Sequence, residues 1–325
     1  MNRHSMTMLG LAILAGFLFS SAKGISVQGE PVKLTEEKEG FIYPVWSPDG
    51  QFIAVTRGDW RGIWRISSDG KQLEELTADR GAGYKFAWSP EGRHIVYRVE
   101  KMVDGKRHFA IMVVDVEDKT LHTITEFERY LGVPRWVSAD GTIAFETDRD
   151  GSLAMAKTAH LFPSETQREL SNLVATTSGN LQIWISQPDG SERTLISGPE
   201  ERCFDPIPSP DGRRVCYSSL DAGGSIVVAQ ADGEGKVNLG YGSSPCWSPD
   251  GSKLVYEVTE DDGTLITGSD LFLIGVDDSD KVRLTDTPDL IERWPKWSPD
   301  GTKIAFCAGE AIYVLPIQQP TTLGE

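Results

Sequence analysis

The sequence predicts an all-β fold, a six-bladed β-propeller of four-stranded antiparallel blades, and three observations carry that prediction. A Trp-Ser-Pro-Asp-Gly turn recurs along the chain, a short apolar strand follows every copy, and the copies are spaced one blade apart. They occupy residues 44–50, 86–92, 134–141, 206–212, 245–251 and 295–301. Their closing glycines stand 42, 49, 71, 39 and 50 residues apart, and periods of about 40 to 50 residues belong to radial repetition of four-stranded sheets.

Each element of the repeat has a physical reason. In the turn, proline presets the first central angle, the aspartate carboxylate accepts local backbone amides, and glycine takes the left-handed position that closes the hairpin. The strand after each turn covers 52–56, 94–98, 142–146, 214–218, 253–257 and 303–307. Aligned, these strands place a small column (Ala54, Val96, Ala144, Cys216, Val255, Ala305) beside a bulky one (Val55, Tyr97, Phe145, Tyr217, Tyr256, Phe306). Successive strand residues face opposite ways, so apolar side chains in both columns predict a sheet covered on both faces by its neighbours. A third strand follows at 62–66, 110–114, 182–185, 225–228, 270–273 and 311–315. A fourth ends near Leu-Thr at 75–77, 123–125, 193–196, 237–239 and 282–285. The last unit has no fourth strand of its own. Residues 31–35 supply one, so an N-terminal strand is expected to complete the last blade and close the ring, removing free sheet edges.

Two units depart from the pattern. Pro208 stands where the other turns carry tryptophan. The 71-residue interval leaves a surplus around residues 156–177, read as a loop over one face, with a degenerate seventh blade or a disordered segment as the alternatives for an insertion of this length.

Hydrophobic content of 39% with 33 Gly and 18 Pro supplies both a core and frequent chain reversals. Residues 1–22 read as a cleavable signal peptide: Arg3, an apolar stretch from Leu9 to Phe19, then the small residues Ser20 and Ala22. That stretch is too short for a comfortable membrane span, and no cysteine near the cleavage site suggests a lipid anchor. Residues 23–325 are then a single propeller domain, periplasmic or secreted. Cleavage takes Arg3 from the 32 basic residues and none from the 48 acidic ones, so the net charge moves from −16 to −17. Nucleic acid and anionic membrane surfaces are poor partners for such a chain; solubility is the simpler use of the charge. Cys203, Cys216, Cys246 and Cys307 lie on separate predicted strands, and a disulfide needs Cα atoms within about 7 Å, so none is expected. Cys216 simply packs in the small column.

These features together are specific. The chain resembles the TolB-like propellers, whose WD40-like repeats (PD40) carry the same Trp-Ser-Pro-Asp-Gly turn, an Ile-Ala-Phe-type strand, an Ile-Trp-Val-type strand and a closing Leu-Thr. The resemblance implies a periplasmic or secreted interaction platform, TolB being the partner of a peptidoglycan-associated lipoprotein. TolB's N-terminal α/β domain has no counterpart before the first strand here, so the resemblance points to a stand-alone propeller.

In a propeller the fourth-to-first and second-to-third connections share one face, and the Asp-Gly hairpins share the other. Turn chemistry accounts for the hairpin face, so function is expected on the loop-rich face. Just before the inner strands that face offers Tyr43, Tyr84, Lys85, Arg129, Tyr130, Glu201, Arg202, Asp205, Glu292, Arg293 and Trp294, joined by Trp60 and Arg61. Arg135 and Lys296 share an inner-strand column and are expected to line the channel. Aromatic rings beside arginines combine contact area with directional hydrogen bonds, the usual anchors of protein recognition. The expected function is therefore a non-enzymatic, monomeric scaffold for a protein or peptide partner. The competing expectation is that these residues cap the channel and satisfy one another, for example Glu292 with Arg293 and Glu201 with Arg202.

An enzyme is the second functional reading. No Gly-x-Ser-x-Gly turn occurs, so a resemblance to the propellers of prolyl and dipeptidyl oligopeptidases does not extend to their catalysis. His94, His108, His122 and His160 do not suggest a transition-metal site. The acidic runs 260–262 and 277–280 lack the ligand spacing of a calcium loop and read as hairpin tips. No catalytic residue, metal or cofactor is assigned. A polysaccharide lyase, a hydrolase, or a small-ligand or glycan binder using the channel mouth is the alternative, because the oligogalacturonate lyases are propellers that place ligands there.

Overall fold

The computed structural model describes residues 25–138, 141–149, 151–158, 173–287 and 290–318. The expected signal peptide, His160 and the middle of the expected insertion lie outside the described residues. Within them the chain winds through seven antiparallel sheets. Blade 1 comprises Phe41–Trp46, Phe52–Arg57, Arg61–Ser67 and Leu73–Arg80, and blade 2 Ala87–Trp88, His94–Val103, Lys106–Asp115 and Leu121–Thr123. Blade 3 has Arg135–Trp136, Thr142–Glu146 and Leu153–Lys157; blade 4 has Val174–Thr177, Ile183–Ser186 and Thr194–Leu195. Blade 5 runs through Cys203–Pro208, Arg214–Ser219, Ser225–Gln230 and Val237–Tyr241. Blade 6 runs through Ser243–Trp247, Lys253–Asp261, Ile266–Gly275 and Val282–Arg283. Blade 7 is Glu292–Trp297, Lys303–Ala308 and Ala311–Gln318.

Six blades are thus corrected to seven, the alternative weighed for the long interval. Segment 182–185, expected as the third strand of the third unit, belongs instead to a sheet of its own, and Leu153–Lys157 takes the expected role. The additional sheet is hidden in the sequence because no Trp-Ser-Pro-Asp-Gly turn introduces it. Its packing still obeys the repeat: Val174 faces blade 3 and Ala175 faces blade 5, as Ile53 faces blade 7 and Ala54 faces blade 2.

Seven apolar clusters fill the seven seams between neighbouring sheets. The two columns explain how they interlock. The small column of one blade faces the bulky column of the next, pairing Ala54 with Tyr97, Val96 with Phe145, Cys216 with Tyr256, Val255 with Phe306 and Ala305 with Val55 in shared clusters. Large against small fills the space between sheets at close-packed density. Indole groups add hydrogen bonds across the seams. Trp46, Trp88, Trp136 and Trp247 each donate Nε1–H to an inner-strand carbonyl of the preceding blade, at Lys296, Val45, Ala87 and Ile207, over 3.0 to 3.2 Å.

The ring closes as expected from the N-terminal strand. Val32 and Lys33 pair with Val314 and Tyr313, and Ser26 and Val27 extend the same edge against Gln318 and Ile317. At the opposite ends of the strands the Asp-Gly hairpins repeat one local network. Ser47 Oγ donates to Asp49 Oδ1 at 2.6 Å, and the amides of Gln51 and Phe52 donate to Asp49 and Ser47. The same bonds recur at Ser209 and Asp211, Ser248 and Asp250, and Ser298 and Asp300. These donors hold the Asp211 carboxyl below its ordinary range, the Ser209 hydroxyl contributing most.

Candidate binding site on the loop face

The inner strands are bulged at their loop ends. Register shifts occur between Ile42 and Val45, Phe204 and Ile207, Ser243 and Cys246, and Arg293 and Lys296. At the bulges Tyr43, Asp205, Ser244 and Trp294 take φ between 52° and 56°, and Lys85 does the same ahead of blade 2. A left-handed backbone in a residue with a Cβ costs about 1–3 kcal/mol, and bulges of this kind re-aim a side chain. Here the side chains converge on the channel. Lys85 Nζ of blade 2 forms an ion pair with the Asp205 carboxylate of blade 5, a contact between non-adjacent blades that crosses the mouth. Burial opposes the charge on Lys85, but Asp205 outweighs it and raises the lysine pKa above its ordinary value.

Beside that bridge lies a set of rings in edge-to-face contact. Tyr43 meets Trp60, Phe86 and Trp294 at centroid distances of 5.8, 5.8 and 6.4 Å, while Trp60 meets Trp294 at 6.0 Å and Tyr84 at 5.6 Å. Lys296 Nζ stands 5.7 Å from the Tyr43 ring. Of the expected residues, the structure therefore brings together Trp60, Tyr84, Lys85, Asp205 and Trp294, with Tyr43 and Lys296.

Others are placed elsewhere. Glu292 is removed from the expected binding surface: it is buried, its carboxylate accepting from Thr285 and, at 2.7 Å, from Thr287. Burial pushes its pKa up to about 7. Arg293 pairs with Glu257, not with Glu292. Its Nε donates to Glu257 Oε1 at 2.8 Å, the Trp294 amide to Oε2 at 2.6 Å and Ser243 Oγ to Oε1 at 2.9 Å, so this fully buried carboxylate has three donors. Arg202 makes a forked contact to Asp221, while Glu201 accepts from the Gly198 amide, so this expected pair is also replaced. Arg135 contacts Glu146 at 2.7 Å and the Ala175 carbonyl. Arg61 donates to the Ala78 carbonyl and Arg129 to the Arg107 carbonyl. Burial raises the Tyr130 pKa. The acidic runs serve turns, Asp262 accepting from Thr264 and Leu265 and Asp277 from Ser279. Among the described residues no group of three or more His, Cys, Asp or Glu is arranged to hold a metal.

Sequence reasoning missed one feature. Between the hairpins of blades 1 and 2 opens a cleft of about 470 Å³, lined by Trp60, Tyr84, Arg80, Arg98, Glu100 and Phe109 among others. Its wall is the blade 2 hairpin, whose strands run ten residues each and so rise roughly 14 Å higher than six-residue strands. Arg98 lies 5.7 Å from the Tyr84 ring and 4.4 Å from the Phe109 ring, and donates Nη1–H to the Leu131 carbonyl at 2.6 Å. The signal was present: Arg98 follows the bulky column, where the equivalent residues are Thr56, Glu146, Ser218, Glu257 and Cys307.

Residues 170–317 match the TolB beta propeller domain. The structure is similar to that of a putative TolB from Agrobacterium tumefaciens, with 20% identity, a TM-score of 0.50, and coverage of 86% of this chain and 90% of that one. The molecule is a TolB-like β-propeller. Other TolB-like and propeller structures resemble it more weakly: an oligogalacturonate lyase in complex with manganese is 16% identical over 86% of this chain and 77% of that one, with a TM-score of 0.48. A 100-residue stretch of this TolB-like chain, 30% of its length, is 29% identical to a component of eukaryotic translation initiation factor 3 of Xenopus laevis, of which it covers 14%. Among the described residues no helix is long and apolar enough to cross a membrane.

Proposed function

We propose that this TolB-like propeller is a non-enzymatic binding module, acting outside the cytoplasm, that holds a protein or peptide partner on its loop face. The observation that carries the reading is the row of rings Tyr84, Trp60, Tyr43 and Trp294 at the channel mouth, set on strained backbone at three of its four members. Large rigid rings give contact area at low entropic cost, and strain retained at a site marks a geometry held for use. The flanking ion pairs leave Trp60 and Tyr84 open to a partner.

The test is capture of partners from envelope and secreted fractions, comparing wild type with a Trp60→Ala, Tyr84→Ala double variant. Arg293 is unsuited to this purpose, because removing it strands the buried Glu257 charge at a cost of about 3–5 kcal/mol. Aromatic anchors are worth about 2 kcal/mol or more each, so the double variant is expected to lose its partner while keeping the wild-type circular dichroism spectrum. Equal retention of the same partner by both proteins would overturn the assignment of this face.

A further inference from the structure

We infer that the cleft between blades 1 and 2 is a carboxylate pocket built around Arg98, and that it receives an acidic side chain of an extended peptide. The inference rests on the loop face being a peptide-binding surface and names the chemistry of the partner.

Three charged residues occupy the position after the bulky column, and the structure treats them differently. Glu146 is held by Arg135 and Glu257 by Arg293. Arg98 makes its single hydrogen bond to a carbonyl and forms no ion pair among the described residues. The carboxylates in its field are already engaged: Glu146 by Arg135, and Glu100 by Arg80 at 2.7 Å with Arg107 at 4.0 Å. In a chain with 48 acidic against 32 basic residues, a half-buried guanidinium left without a carboxylate is a local reversal of charge. Burial works against its ionised form, and an incoming carboxylate supplies what the fold does not. The guanidinium is held between two rings, so its remaining N–H groups are oriented toward the cleft without further ordering.

The surroundings favour a peptide over an isolated anion. Four contacts of under 6 Å lead from Arg98 through Tyr84, Trp60 and Tyr43 to Lys296, whose ammonium also forms no ion pair or hydrogen bond among the described residues. Two cations joined by a floor of rings suit an extended chain carrying two carboxylates no more than roughly seven residues apart.

The probe is a fluorescein-labelled hexapeptide, acetyl-Glu-Ser-Gly-Ser-Gly-Glu-amide, titrated by anisotropy against the full chain at physiological ionic strength, beside its Gln-for-Glu analogue. The expected result is binding of the Glu peptide, with about tenfold or greater loss for the Gln analogue and for Arg98→Gln. Arg213→Gln, on the opposite face, should leave affinity unchanged. If Arg98→Gln does not fold, the Glu-against-Gln comparison on wild type decides, and Arg80→Gln with Arg107→Gln, both well exposed, should narrow that preference. Equal binding of the two peptides, no binding of either, or wild-type affinity in Arg98→Gln overturns the inference. Binding of oligogalacturonate through Arg98 in place of the peptide overturns it in favour of an acidic sugar. If the native partner is still captured by wild type and lost by the Trp60, Tyr84 variant, such a failure falls on the carboxylate pocket alone.

Discussion

At Glu292, burial works against charge. Its carboxyl sits among Thr285, Thr287 and the backbone of Ser269 with a pKa raised to about 7. The folded protein therefore binds a proton that the unfolded chain has already released once the pH passes the ordinary glutamate range. Stability from this group is complete below about pH 4.5 and declines as pH rises to about 7, by on the order of 3 kcal/mol. Glu292→Gln should flatten this part of the stability profile, measured by denaturant unfolding at several pH values, and should be at least as stable as wild type at pH 8. An unchanged slope between pH 5 and 7 would assign the dependence elsewhere. Sequence reasoning placed Glu292 on the surface with Arg293 as its partner. Adjacent strand residues point to opposite faces, so they are poorly placed to pair; Arg293 instead reaches Glu257 on the next blade's strand, 36 positions away.

Among elements, the repeated tryptophan stitches one blade to the previous one. Trp88 Nε1–H donates to the Val45 carbonyl, whereas Trp297 Nε1–H is buried without a partner. Trp88→Phe should lower stability by about 1 kcal/mol, because it removes a hydrogen bond and leaves a carbonyl unmet. Trp297→Phe should be neutral or slightly stabilising, because it removes an unsatisfied donor of similar shape. Thermal melts of the two variants side by side check the contrast, and equal losses would show that the indoles act by volume alone. The turn, the strands and the closing N-terminal strand were legible because each rests on hydrogen bonds or alternation within a few residues. The fourth blade was not, because Thr176 replaces the bulky residue and no turn motif announces it.

For the whole molecule, stability is a chain of seven seams, and they are unequal. The seam between blades 6 and 7 buries twelve apolar residues in its cluster, that between blades 3 and 4 only Val137, Ala144 and Val174 among the described residues. Amide exchange should therefore proceed faster in Thr142–Glu146 and Val174–Thr177 than in Phe52–Arg57 and Lys303–Ala308, since regions with fewer buried contacts open at lower free energy. Uniform protection around the ring would mean that closure makes all seams equivalent. The sequence by itself determined the repeat, the hairpin chemistry, the alternating columns and the strand that closes the ring, because these depend on neighbours within a blade. The tertiary structure alone decided that there are seven blades, that Lys85 meets Asp205 from 120 positions away, and that Arg98 is left facing an open cleft without a carboxylate. Those outcomes depend on which distant residues the closed ring brings together, and no local pattern carries that information.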